Sequence, residues 1–246
     1  MAVFAANWKM YKNLAEAAHW ASAVAAAPHP PGAEVWVFPP FTALHAVRAA
    51  APGLLLGGQD VAWADEGAYT GFVSAPQLRD AGCSLALVAH SERRRYAGEH
   101  DVLAARKIAA LWRAGLTPVY CVGEEQEDRL AGRGAQRLAQ QLEAALGELG
   151  GQPPGPLVIA YEPVWAIGSG TPATPDEASQ AAALIRERVA RSLGPLEVRV
   201  LYGGSTSPGT AAAFLREPAI DGLLVGSASL DASTFLAMLE AVRTDG

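Results

Sequence analysis

The sequence predicts an α/β chain folded as a single (β/α)8 barrel domain over residues 1–246. Three observations predict it. Short apolar, β-branched runs recur with helical patterns between them, starting roughly 20 to 40 residues apart, as repeated strand–helix units do. The runs are apolar almost throughout rather than alternating, as strands covered on both faces are. An open doubly wound sheet would carry a glycine-rich fingerprint after its first strand, and that position holds Asn7-Trp8-Lys9-Met10. Eight parallel units closed on themselves leave no exposed edge, and such a barrel takes about 250 residues.

In chain order the predicted strands are Val3–Ala6, Val35–Phe38, Leu54–Gly57, Leu85–Ala89, Pro118–Val122, Leu157–Tyr161, Val198–Tyr202 and Leu223–Val225. The Ala-rich stretch Leu14–Ala27 reads as a helix stopped by Pro28-His29-Pro30-Pro31. Thr174-Pro175-Asp176-Glu177 forms a capping box with proline at the first helical position. Beyond it Ile185, Val189 and Leu193 repeat every four residues and mark a buried helical face. A helix over Gln136–Leu149 ends in Gly150-Gly151, followed by the turn Pro153-Pro154-Gly155-Pro156. That turn is short and the strand–helix rhythm continues through it, so it is not read as a domain linker.

Composition narrows the function classes. The net charge is −6 and the most basic run is Arg93-Arg94-Arg95. Phosphate-backbone binding needs clustered cations, so nucleic acid is excluded as a partner. Cys83 and Cys121 stand far apart, and the five histidines have no zinc-binding spacing, so no metal site is expected. A chain of this size needs no disulfide framework, which favours a reducing compartment. The N-terminal stretch lacks a basic leader, and no apolar run reaches the ~18 residues of a membrane span. The expectation is a soluble, cytoplasmic protein.

The active site of a (β/α)8 barrel lies at the C-terminal ends of its strands. Here those ends carry Asn7 and Lys9 after the first strand, His90-Ser91-Glu92 after the fourth, and Glu162 after the sixth. Gly203-Gly204-Ser205 follows the seventh and Gly226-Ser227 the eighth. Singly, each has a plain reading: a loop lysine, a hydrogen-bonded histidine, a capping carboxylate, a glycine turn. Together they gather a cation, an imidazole and a carboxylate around one mouth. The two small-residue loops would present backbone N–H groups ahead of helical segments, the frequent phosphate pocket of this fold. The residues alone therefore point to a phosphate-binding barrel enzyme doing acid–base chemistry.

Four strings carry a closer resemblance. Asn7-Trp8-Lys9-Met10, Ala89-His90-Ser91-Glu92-Arg93-Arg94, Tyr161-Glu162-Pro163-Val164-Trp165-Ala166-Ile167-Gly168 and Tyr202-Gly203-Gly204-Ser205 resemble the triosephosphate isomerases, in family order and spacing over essentially the whole chain. The resemblance implies interconversion of dihydroxyacetone phosphate and glyceraldehyde 3-phosphate, without cofactor, by a homodimer. Glu162 would be the base, His90 a neutral imidazole polarising the carbonyl, Lys9 the fixed positive charge and Asn7 a further donor. Gly168, Ser205, Gly226 and Ser227 would hold the phosphate. Pro163, Val164, Trp165, Ala166, Ile167, Gly168, Ser169, Gly170, Thr171, Pro172 and Ala173 would form a closing lid, with Ile167 and Leu224 covering the base. Thr70, in Gly67-Ala68-Tyr69-Thr70-Gly71-Phe72, would make the dimer contact.

The chain departs from the family pattern at four places. Ser227 replaces a second glycine, which works only with a negative φ. Pro172 enters the far hinge of the lid, Phe72 replaces an acidic residue of the contact loop, and Tyr11 replaces an asparagine. No reacting group is lost, so these changes bear on rate, lid motion and dimer strength. Two other readings stand beside this one. Another phosphate-binding barrel enzyme, such as a ribose-phosphate isomerase of amino-acid biosynthesis, would share the loops but not require Lys9, His90 and Glu162 together. A non-catalytic barrel protein would be expected to have lost one of them.

Overall fold

The computed structural model describes residues 2–150, 154–167, 172–194, 196 and 198–240. Its parallel strands are β1 (Ala2–Asn7), β2 (Ala33–Phe38), β3 (Leu55–Gly58), β4 (Leu85–Val88), β5 (Thr117–Val122), β6 (Leu157–Tyr161), β7 (Val198–Tyr202) and β8 (Gly222–Val225). They close in sequence order into a barrel, β1 pairing with β8 from Val3↔Gly222 to Ala6↔Val225. The (β/α)8 barrel predicted from the sequence is the fold. The bounds of β6 and β7 are as expected, and those of the other strands differ by no more than two residues. The fourth strand stops at Val88 because Ala89 takes a left-handed backbone, φ 56°, which cannot continue a strand.

The helices between strands are α1 (Leu14–Ala26), α2 (Leu44–Ala50), α3 (Ala75–Asp80), α4 (Ser91–Ala97), α5 (Asp101–Arg113), α6 (Gln126–Leu130), α7 (Gly134–Leu149), α8 (Pro175–Leu193), α9 (Pro208–Leu215) and α10 (Ala232–Glu240). Their starts are written in local chemistry. Capping boxes open α1 from Asn13 with Glu16, α3 from Ser74 with Gln77, and α8 from Thr174 with Glu177. Each satisfies two backbone N–H groups that the helix itself cannot. The buried face of α8 includes the predicted Ile185, Val189 and Leu193.

Two layers of apolar packing explain why the strands read as continuously apolar. Val3, Ala5, Trp36, Phe38, Leu85, Leu87, Val119, Cys121, Val158, Ala160, Leu201 and Leu224 fill one cluster inside the barrel. The alternate strand residues, among them Phe4, Ala6, Val35, Val37, Val88 and Ile159, pack outward against the helices. Both faces of the strands are therefore mostly buried, with exceptions such as the exposed Leu55 at the start of β3 and the half-buried Glu34 and Arg199. The interior accommodates Phe38 because β3 supplies a glycine opposite it. A Cβ on Gly57 would overlap the Phe38 ring. Among the described residues no helix is long and apolar enough to cross a membrane.

Candidate active site

At the C-terminal mouth of the barrel a cavity of about 120 Å³ is lined by Asn7, Lys9, His90, Glu162 and Ile167. Its other wall comprises Gly203 to Thr206 from the loop after β7, Leu224, and Gly226 to Ala228 after β8. Every predicted site residue that lies within the described residues is there, apart from the outer lid and Thr70. Gly168, Ser169, Gly170 and Thr171, the centre of the predicted lid, lie outside the described residues.

Glu162 follows β6 and is 2% exposed. Its Oε1 lies 2.8 Å from His90 Nε2, and its Oε2 accepts the Ser91 N–H at 2.9 Å. Burial alone opposes ionisation of the carboxyl. The His90 imidazole, the Ser91 N–H and Lys9 outweigh it, and Glu162 is held below the ordinary glutamate range. It is an ionised carboxylate in a nearly dry site. The backbone around it is tightly fitted: the Glu162 N–H donates to the Val122 carbonyl at 2.7 Å, and any Cβ on Gly123 would collide with the Glu162 carbonyl.

His90 caps α4, and its Nδ1 accepts the Glu92 N–H at 3.2 Å. An imidazole that accepts at Nδ1 carries its proton on Nε2, and that N–H points at Glu162. Burial disfavours an imidazolium here, while the neighbouring Glu162 carboxylate pulls the other way and prevails, leaving His90 above its ordinary value in this arrangement. The Nδ1 acceptor bond is open only to the neutral ring. Once the carboxylate moves from its side, burial, the Glu92 N–H and the Lys9 charge favour neutrality, against the Glu92 carboxylate 3.7 Å from Nδ1.

Lys9 occupies a left-handed backbone, φ 52°, fixed at both ends. Its N–H donates to Asn7 Oδ1 at 3.0 Å, and its carbonyl accepts from Gln59 Nε2 at 2.7 Å. That conformation carries the ammonium to within 2.8 Å of Glu92 Oε1 and beside Gly226. Asn7 thus spends its carbonyl oxygen on Lys9, which leaves its amide N–H₂ as the polar group available to a ligand.

The loops after β7 and β8 need their small residues. A Cβ on Gly203 would press on Glu162 Cγ at 3.0 Å, and one on Gly204 would strike the Tyr202 hydroxyl. Ser227 opens a 3-10 turn, Ser227–Ser229, and is not among the positive-φ residues, so serine is tolerated where a second glycine would also fit. The first N–H groups of such a turn have no partner within it. Ser205 Oγ donates to the Ala166 carbonyl at 2.6 Å, tying this wall to the start of the predicted lid.

The described ends of the predicted lid segment are anchored. Val164–Ala166 forms a 3-10 turn in which Trp165 Nε1 donates to Glu124 Oε1 at 2.7 Å, and the Tyr161 hydroxyl shares the same oxygen. Arg129 stacks 3.5 Å above the Trp165 ring and pairs with Glu177. Beyond the undescribed centre, the Ala173 N–H donates to the Tyr202 hydroxyl at 3.0 Å.

Gln59 and Gly123 were missed from the sequence, and Glu92, read there within the string after the fourth strand, was given no role. Gln59 follows β3, so the strand-end rule reaches it, but its amide does not mark it as reactive.

A family model for triosephosphate isomerase matches residues 2–242. The chain belongs to the triosephosphate isomerase family. It is 47% identical over 243 residues to the triosephosphate isomerase of Nitratidesulfovibrio vulgaris, covering 95% of this chain and 96% of that one. The triosephosphate isomerase of Thermus thermophilus is 46% identical over 242 residues, 96% of each chain. That of Moorella thermoacetica is 42% identical over 241 residues, 96% of this chain and 97% of the relative. A triosephosphate isomerase needs a base, an electrophile and a phosphate seat within one small cavity, and the mouth described above provides candidates for all three.

Proposed function

We propose that this chain interconverts dihydroxyacetone phosphate and D-glyceraldehyde 3-phosphate, as a cytoplasmic homodimer that uses no cofactor. The observation that carries the reading is the Glu162–His90 pair, a buried carboxylate 2.8 Å from the Nε2 of an imidazole fixed by Glu92, in the cavity that also holds Lys9.

The chemistry follows from these groups. Glu162 takes the proton from the carbon beside the substrate carbonyl, and the electron pair of the broken C–H bond moves onto the carbonyl oxygen through an enediolate. His90 Nε2–H donates to that oxygen, and Lys9 supplies positive charge close by. His90 carries the hydroxyl proton from one oxygen of the enediolate to the other, and return of the carbon-bound proton from Glu162 to the neighbouring carbon completes the isomerisation with no net loss of atoms or electrons. The phosphate rests on the N–H groups of Ser205, Gly226 and Ser227, with Gly168, outside the described residues, as the further contact that the family resemblance implies. Glu162 must first leave His90 and Ser91, because its carboxylate occupies the place of the substrate oxygen. In doing so it gives up the two bonds that stabilise its charge while Ile167 and Leu224 still exclude water, so its basicity rises as it reaches the substrate.

Replacing Glu162 with glutamine tests this directly. Loss of a general base costs ~10²–10⁴-fold in turnover. Turnover of Glu162→Gln is expected to fall by at least that range while inorganic phosphate still competes for the site. A variant retaining a tenth of wild-type turnover rules the assignment out.

A further inference from the structure

Ala89, directly before His90, is a buried alanine with a left-handed backbone, φ 56°. An L side chain is disfavoured there, and both polar groups of its backbone are held by side chains. Its N–H donates to Glu99 Oε1 at 2.8 Å, and its carbonyl accepts from Arg94 Nε at 3.0 Å. These holders are themselves fixed. Glu99 Oε2 accepts from the buried Lys107 ammonium at 2.6 Å, and Lys107 also binds Asp60 beyond β3. Arg94 pairs with Asp101 at 2.6 Å and donates to the Cys121 carbonyl of β5 at 3.1 Å. A charged framework reaching β3, β5, α4 and α5 thus converges on one alanine peptide. Lys9 is treated the same way, its left-handed backbone bound at N–H by Asn7 and at the carbonyl by Gln59.

We infer that Glu99 and Arg94 are positioning residues that hold Ala89 in the left-handed region and so aim His90 Nε2 at the substrate oxygen. Neither touches the reacting atoms. Relaxation of Ala89 toward a common backbone conformation would turn the peptide that carries His90, displacing the imidazole from both Glu162 and the Glu92 N–H. The inference rests on the isomerase reading given above. The competing role is purely structural, with Glu99 serving only as counter-ion to Lys107.

The test uses Glu99→Ala and Arg94→Lys, each with and without Ala89→Gly. A misplacement of about 1 Å costs ~10²-fold, so turnover is expected to fall by about 10- to 100-fold with little change in KM. Glycine occupies the left-handed region without penalty, so Ala89→Gly is expected to recover most of that loss in both backgrounds. Turnover that stays near wild type in both single variants, or that Ala89→Gly does not restore, overturns the inference. If Glu99→Ala does not fold, the Arg94→Lys pair decides, because that change leaves the Lys107 ion pairs intact. The ¹⁵N shift of His90 Nδ1, which reports its bond to Glu92, is recorded alongside. It should move in the single variants and return with Ala89→Gly. A wild-type chain without isomerase activity overturns the functional reading, while an unmoved shift overturns this one.

Discussion

At the scale of single residues, the site depends on which atom holds each proton. His90 is 5% exposed yet contributes no packing face of its own helix, since α4 has no buried residue. Its bonds are to Glu92 and Glu162, one fixing the ring and the other made by the base. His90→Gln is therefore expected to lose turnover by ~10²–10⁴-fold, the usual contribution of a positioned acid, with a melting temperature close to wild type. Thermal unfolding beside a turnover assay separates the alternatives: a variant that melts far earlier and keeps its turnover would make His90 structural. The proposed reacting groups Glu162, His90 and Lys9, which the structure brings to one cavity, were legible in the sequence because strand ends of a barrel converge and titratable side chains stand out there. Gln59 and Gly123 were not, and Glu92 stood among the strand-end groups without a role, because their work is to hold backbone and charge in place. Such roles depend on distances that no spacing encodes.

At the scale of elements, the repeated apolar runs gave the strands and the Thr174 box gave the start of α8, since period and cap chemistry are local. The stop of β4 at Val88 was not legible, because alanine carries no mark of the left-handed conformation that Ala89 is made to adopt by Glu99 and Arg94. Nor was the pairing of Phe38 with Gly57, which are adjacent only once β2 and β3 are side by side. Placing a methyl group at Gly57 forces that ring or its strand to shift, and overpacking of a well-filled core costs ~1–3 kcal/mol. Gly57→Ala is expected to lower stability by about that amount in urea unfolding, and adding Phe38→Leu should restore part of it. An unchanged midpoint for Gly57→Ala would show that the barrel interior is not closely packed there.

At the scale of the whole molecule, the loop predicted to make the dimer contact carries an aromatic surface. Phe72 is 45% exposed and packs edge-on against Trp63, which also meets Tyr69, and Met10 and Tyr11 of the barrel's first loop are exposed as well. Covering Phe72 in a homodimer would contribute ~1.5–3 kcal/mol, offsetting whatever the loss of an acidic residue there costs. Light scattering is expected to report a dimer at micromolar concentration, and Phe72→Glu to shift it toward monomer. A wild-type monomer at that concentration refutes the dimer. The central claim, however, is the reaction that the assembled mouth performs. Purified chain mixed with glyceraldehyde 3-phosphate, with a chelator present and no added metal or nucleotide, should form dihydroxyacetone phosphate at an enzyme-proportional rate, and unphosphorylated glyceraldehyde should turn over far more slowly. No product from the phosphorylated substrate, complete loss of activity with the chelator, or equal turnover of the unphosphorylated aldehyde would contradict the account.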